Sequence, residues 1–123
     1  MAAGQEWLVE AFGCVPDALT DFNRLQALLD ALVDNLPLNP VGPPLWHRFD
    51  GPGGITGMCL LAESHFACHT FPEHGSLTLN LFCCKPRPEF DFRVYLEREF
   101  GAAHVCVRVL QRPYQRTALK QQP

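Results

Sequence analysis

Lysine is nearly absent from this sequence. Two occur in 123 residues, Lys85 in a proline-rich stretch and Lys120 near the C-terminal end. Neither lies in a segment that would hold its amine in place, which argues against catalysis through a lysine Schiff base. The ten basic residues are scattered and the net charge is −3. With no basic stripe, no nucleic-acid partner is expected. No apolar run approaches the eighteen or so residues of a membrane span. Met1 to Glu6 lacks the basic start and apolar core of a signal peptide. The expectation is a cytoplasmic protein with no membrane partner. No Cys-x-x-Cys occurs among the six cysteines, so a structural zinc knuckle is not expected. Cys83 and Cys84 are adjacent and would point to opposite faces of a strand. Cys14, Cys59, Cys68 and Cys106 lie in apolar, strand-like surroundings. In a cytosolic chain these read as reduced, mostly buried small hydrophobes.

What is present suffices for one domain over residues 1–123: 47% of the chain is hydrophobic and 19% charged. Trp7 to Phe12 alternates as a strand ending at Gly13. Pro16-Asp17 opens a helix with Asp17 as its cap. Leu19, Phe22, Leu25, Leu29, Leu32, Val33 and Leu36 then recur at three- and four-residue steps until Pro37 stops it. Prolines make 37–44 a loop. Strands are expected at 45–49, 55–62, 65–71 and 77–84. A second helix is expected over 89–100, with Gly101 as its stop. A last strand runs through Val105, Val107 and Val109, and a loose polar tail begins at Arg112. Gly51, Gly53 and Gly54 do not make a phosphate cradle, because a strand and not a helix follows them. This order predicts an α+β two-layer sandwich, an antiparallel sheet with two helices on one face. The other face is left to polar and sulfur side chains, or to a second subunit.

The densest chemistry lies between Glu63 and Cys84. These 22 residues hold three histidines, two acids and three thiols. The order Glu63-Ser64-His65, His69, Thr70-Phe71-Pro72-Glu73 and Cys84 resembles the small prokaryotic S-adenosylmethionine decarboxylases. Those are pyruvoyl enzymes, which make their own cofactor by cutting the chain at the serine. The likeness covers residues 54–84 most strongly, and the first strand, Gly13-Cys14 and the first helix more loosely. The chain departs at Phe71, where many relatives have Trp, and at Asn80, where an acid is common.

Loss of a carboxylate from an amino acid leaves a carbanion, which needs an electron sink conjugated to the amine. With no suitable lysine, pyridoxal phosphate is disfavoured, and the resemblance implies a pyruvoyl group derived from Ser64 in its place. The resemblance implies cleavage between Glu63 and Ser64, giving a β chain of residues 1–63 and an α chain of 64–123. It implies His69 as the processing base, and Thr56, within Gly54-Ile55-Thr56-Gly57, as an assisting hydroxyl. It implies Cys84 as the proton donor to Cα, a role suited to a thiol, whose ordinary pKa of about 8.5 keeps it mostly protonated at neutral pH. Glu73 would bind the ribose hydroxyls of the substrate and Phe49 would stack on adenine. A homodimer with active sites near the interface is also implied. The expected function is decarboxylation of S-adenosylmethionine for spermidine synthesis.

Other readings stand beside it. Pyruvoyl chemistry needs only an amine next to a carboxylate, so arginine or ornithine could replace the substrate. A catalytically retired binding or regulatory relative is a further reading. Cys68, His69, Cys83 and Cys84 could instead hold a metal. His65 and His74 read as structural or surface residues.

Overall fold

The computed structural model describes residues 3–116. Ten elements follow in order: β1 (Ala3–Phe12), α1 (Pro16–Leu19), α2 (Phe22–Asn35), β2 (Leu45–Arg48), β3 (Ile55–Leu61), β4 (Ser64–Phe71), a 3-10 turn (Pro72–His74), β5 (Ser76–Cys83), α3 (Phe92–Phe100) and β6 (His104–Pro113). The six strands form one sheet in the order β2-β3-β4-β5-β1-β6, and every neighbouring pair is antiparallel. The α+β sandwich is the observed architecture.

Alternation along the strands assigns the two faces. Val9, Ala11, Ile55, Cys59, Phe66, Cys68, Leu77, Leu81 and Cys83 point to one side and are buried. They form one core with Leu25, Leu28, Leu29 and Leu32 of α2 and with Phe92, Leu96 and Phe100 of α3. The opposite face carries Met58 and Leu60, both exposed, beside Thr56, His65, His69 and Asn80. No helix covers it.

Several expectations need correction. The single helix from Pro16 is two helices, because the Asp21 carboxylate accepts the Asn23 backbone N–H at 2.9 Å and caps a new start. Helix α3 begins at Phe92 and not Glu89, with Asp91 accepting the Val94 N–H at 3.1 Å. Among the described residues three helices therefore stand where two were expected. Strand β1 starts at Ala3 and not Trp7, because β6 pairs with it from that residue. Arg112, expected to open a loose tail, lies in β6 opposite Gly4 and its guanidinium pairs with Glu6. Residues 117–123 of that tail lie outside the described residues. Cys14 sits just beyond β1, and Cys106 is exposed because β6 turns it away from the core.

Candidate active site

The site residues fall into two clusters at opposite ends of β4. At the first, Thr56 on β3 lies directly across from His69 on β4. The Thr56 hydroxyl and His69 Nδ1 are 3.0 Å apart and hydrogen-bonded on the uncovered face. The two glycines flanking Thr56 have a steric reason. A Cβ on Gly54 would come within 2.6 Å of the Thr70 carbonyl oxygen, and one on Gly57 would run into the Trp46 ring. Thr70 points inward, donates from its hydroxyl to the Leu19 carbonyl at 2.7 Å, and accepts the Ile55 N–H at 2.8 Å. It fastens the strand pair to the end of α1.

Beside this pair opens a cavity of about 570 Å³, walled by Phe49, Asp50, Thr56, His69, Phe71 and Glu73. Glu73 is presented by the 3-10 turn, which Pro72 starts and Gly75 ends at φ 64°. Phe49 sits on the β2–β3 loop, where its N–H donates to the Gly54 carbonyl at 2.8 Å. Arg48 ties that loop down. Its guanidinium donates to the Thr20 carbonyl at 2.8 Å and lies 4.5 Å over the Phe22 ring. The break between α1 and α2 leaves the Thr20 carbonyl unused by a helix, and Arg48 takes it.

The second cluster surrounds the tight hairpin between β3 and β4. Leu61 and Ser64 are its last pair, and Ala62-Glu63 is the turn. The Glu63 carbonyl accepts the Cys84 backbone N–H at 3.1 Å, and the Ala62 N–H donates to the Asn39 carbonyl at 2.8 Å. The Glu63 carboxylate is ion-paired with Arg87 and accepts from Asn39 at 3.4 Å. Ser64 points to the core side and is 9% exposed. Its Oγ makes no well-formed hydrogen bond among the described residues, but it interacts with the Cys83 thiol closely enough to lower that thiol's pKa somewhat. Across the ladder lies Cys83, whose thiol pKa is pushed up, first by burial. Cys84, one residue past β5, is half-buried.

Phe49, Thr56, His69 and Glu73 are therefore brought together, and so are Glu63, Ser64 and Cys84, but the two groups are not. Ser64 and His69 are five residues apart on one strand, about 17 Å at the usual rise, and point to opposite faces. The alternative metal quartet is not assembled. Cys68 and Cys83 are in the core, and burial pushes the Cys68 thiol up to about 12. His69 lies on the other face. Among the described residues no group of three or more His, Cys, Asp and Glu could hold a metal ion.

Arg87 and Asn39 were not singled out by sequence. For Arg87 a signal existed: it is the one cation between two prolines, Pro86 and Pro88, and a following proline holds its backbone extended. A polar chain was missed as well. His65 is hydrogen-bonded to Asn80 at 3.1 Å, and Asn80 donates to Glu6, which also pairs with Arg112. His65 thus has a structural role on the uncovered face, where its ring stacks on Phe82 at 5.6 Å.

The Ser64 end suits a group made from the chain itself. A buried hydroxyl adjoins a carbonyl that already receives an N–H, the kind of donor that can steady charge on that oxygen.

Comparison with known proteins adds independent findings. The family model described as S-adenosylmethionine decarboxylase matches residues 5–113, and so extends well past Lys85. A protein of Carboxydothermus hydrogenoformans named S-adenosylmethionine decarboxylase proenzyme is 32% identical over 114 residues, covering 90% of this chain and 87% of the relative. One of the same name from Archaeoglobus fulgidus is 31% identical over 100 residues, covering 80% and 88%. The crystal structure of the adenosylmethionine decarboxylase from Aquifex aeolicus shares the fold, with a TM-score of 0.74 over 93% of both chains at 24% identity.

Proposed function

The chain belongs to the S-adenosylmethionine decarboxylase family, and on that premise we propose that it is a proenzyme that cuts itself between Glu63 and Ser64 and then decarboxylates S-adenosylmethionine. The observation that carries this is the buried Ser64 Oγ, facing only the Cys83 thiol, beside the Glu63 carbonyl held by the Cys84 N–H. Ser64 Oγ adds to that carbonyl, and the Cys84 N–H receives the developing oxyanion. The peptide C–N bond breaks, leaving an ester and a free amine. Removal of the Ser64 Cα proton then expels the Glu63 α-carboxylate from Cβ. The resulting dehydroalanine takes up water and loses ammonia, and residues 64–123 begin with a pyruvoyl group. That group supplies the electron sink for the carbanion left by carbon dioxide.

The separation of Ser64 from His69 supports a homodimer. Two uncovered sheet faces packed about a two-fold axis would bring the Thr56–His69 pair of one chain to the Ser64 end of the other. In that arrangement His69 serves as base for its partner's Ser64, positioned through Thr56. Cys84 protonates Cα on the chain that carries the pyruvoyl group. Glu73 and Phe49 line the cavity that takes the ribose and adenine, and the sulfonium is compatible with the carboxylates and aromatics there. Six free thiols suit a reducing compartment, the cytoplasm. The decarboxylated product is the aminopropyl donor for spermidine.

Intact mass spectrometry of wild type beside Ser64→Ala tests the cleavage. Two fragments split after Glu63, absent in the mutant, are expected. A single uncut 13.8 kDa species from both would overturn the proposal. Carbon dioxide release from S-adenosylmethionine, arginine and ornithine then tests the substrate. Turnover confined to either amino acid would replace it.

A further inference from the structure

We propose that Arg87 is the electrostatic partner of the leaving group in self-processing, a role that rests on cleavage between Glu63 and Ser64. Its guanidinium pairs with the Glu63 carboxylate, and the two side chains are only 13% and 20% exposed. One atom stands out: Arg87 Nε is buried and has no hydrogen-bond partner among the described residues. A charged N–H kept from water without an acceptor costs stability unless an acceptor arrives. Here one does. When the Ser64 Cα proton is removed, the electron pair forms the Cα–Cβ double bond and the Cβ–O bond breaks. The departing electrons settle on the Glu63 α-carboxylate. A second anion is thereby created on the very residue that Arg87 already grips.

Position supports this further. Arg87 and Glu63 both act electrostatically on Cys83, which lies directly across the ladder from Ser64. The guanidinium thus grips the residue whose acyl carbon is attacked. The segment is anchored too, since the Arg87 backbone N–H donates to Gln5 Oε1 at 3.3 Å. Before cleavage the Glu63 side chain holds the guanidinium in place. During elimination the unused Nε–H donates to the carboxylate that forms, and afterwards it retains the new C-terminus of the β chain.

The test follows proenzyme maturation in wild type, Arg87→Gln, Arg87→Lys and Glu63→Gln, with and without hydroxylamine, by intact mass. Hydroxylamine intercepts the ester and leaves an α chain that begins with serine, heavier than the pyruvoyl form by one ammonia. Arg87→Gln is expected to mature about 100-fold more slowly, the usual cost of one lost donor to a developing oxyanion, and to accumulate hydroxylamine-cleavable ester. Glu63→Gln, which keeps an acceptor for Arg87 but loses the charge that holds it, is expected to slow maturation less than Arg87→Gln does and to accumulate no ester. Should Arg87→Gln fail to fold, Arg87→Lys retains the charge without the Nε–H and is expected to build up ester as well. Slow maturation without ester in the Arg87 variants, or equal defects in Glu63→Gln and Arg87→Gln, would mean a merely structural ion pair and overturn the proposal. Wild type that matures alongside unimpaired Arg87 variants removes Arg87 and keeps self-cleavage. An uncut wild type removes both.

Discussion

Thr70 carries no reacting atom, yet the cavity depends on it. Its hydroxyl spans two elements, giving a proton to the Leu19 carbonyl and receiving one from the Ile55 N–H. Thr70→Val keeps the shape and removes both bonds, leaving a buried donor and a buried acceptor unpaired. The expected loss is about 2–3 kcal/mol, read from urea unfolding of the uncut Ser64→Ala background, with Thr70→Ser recovering most of it. The residue was visible in sequence as part of Thr70-Phe71-Pro72-Glu73, but its inward direction was not. That direction comes from its parity with Ser64, Phe66 and Cys68 on β4. The same parity puts His69 on the opposite face, next to Thr56.

At the scale of elements, the β2–β3 hairpin shapes the cavity by close packing. Trp46 lies against Gly57 without room for a Cβ, and meets the Phe22 ring edge-on at 6.4 Å. Gly57→Ala must push the indole aside. A loss of about 1–3 kcal/mol in unfolding free energy is expected, together with a raised KM for substrate, because Phe49 rides on the same hairpin. The break before α2 belongs here as well. Apolar spacing runs unbroken from Leu19 to Leu36, so periodicity predicts one helix. The competing signal was Thr20-Asp21, where the carboxylate caps a fresh start and the freed Thr20 carbonyl anchors Arg48. Local hydrogen bonding overrode a pattern that reports only which side faces the core.

For the whole molecule, the separation of the two clusters makes a sharp prediction. Ser64→Ala lacks the hydroxyl but supplies His69; His69→Ala lacks the base but supplies Ser64. Refolded separately, each is expected to stay uncut. Refolded as a mixture, the His69→Ala chains are expected to be cut, up to the fraction present in mixed dimers, as intact mass would register. If no cutting appears in the mixture while the mixed dimers form, His69 does not act across an interface. The uncovered face, with Met58 and Leu60 exposed beside polar groups, is the surface on which such a dimer would close.

The sequence by itself determined the sandwich, and through the family resemblance it named candidate site residues without Arg87 or Asn39. The sandwich depends on short-range rules, a period of two along strands and a period near 3.6 along helices; the site residues rest on the resemblance carried by Glu63 to Cys84. It also held the reason for Gly54 and Gly57, as a spacing without a cause. Only the tertiary structure decided how the clusters stand to one another. The resemblance assigns His69 to processing at Ser64, and an extended strand keeps the two apart within one chain. Arg87 lies 24 residues from Glu63 in sequence, and no local rule joins them. Strand pairing does: Ser64 sits opposite Cys83, so the segment leaving β5 returns past the hairpin and delivers the guanidinium to the residue before the serine.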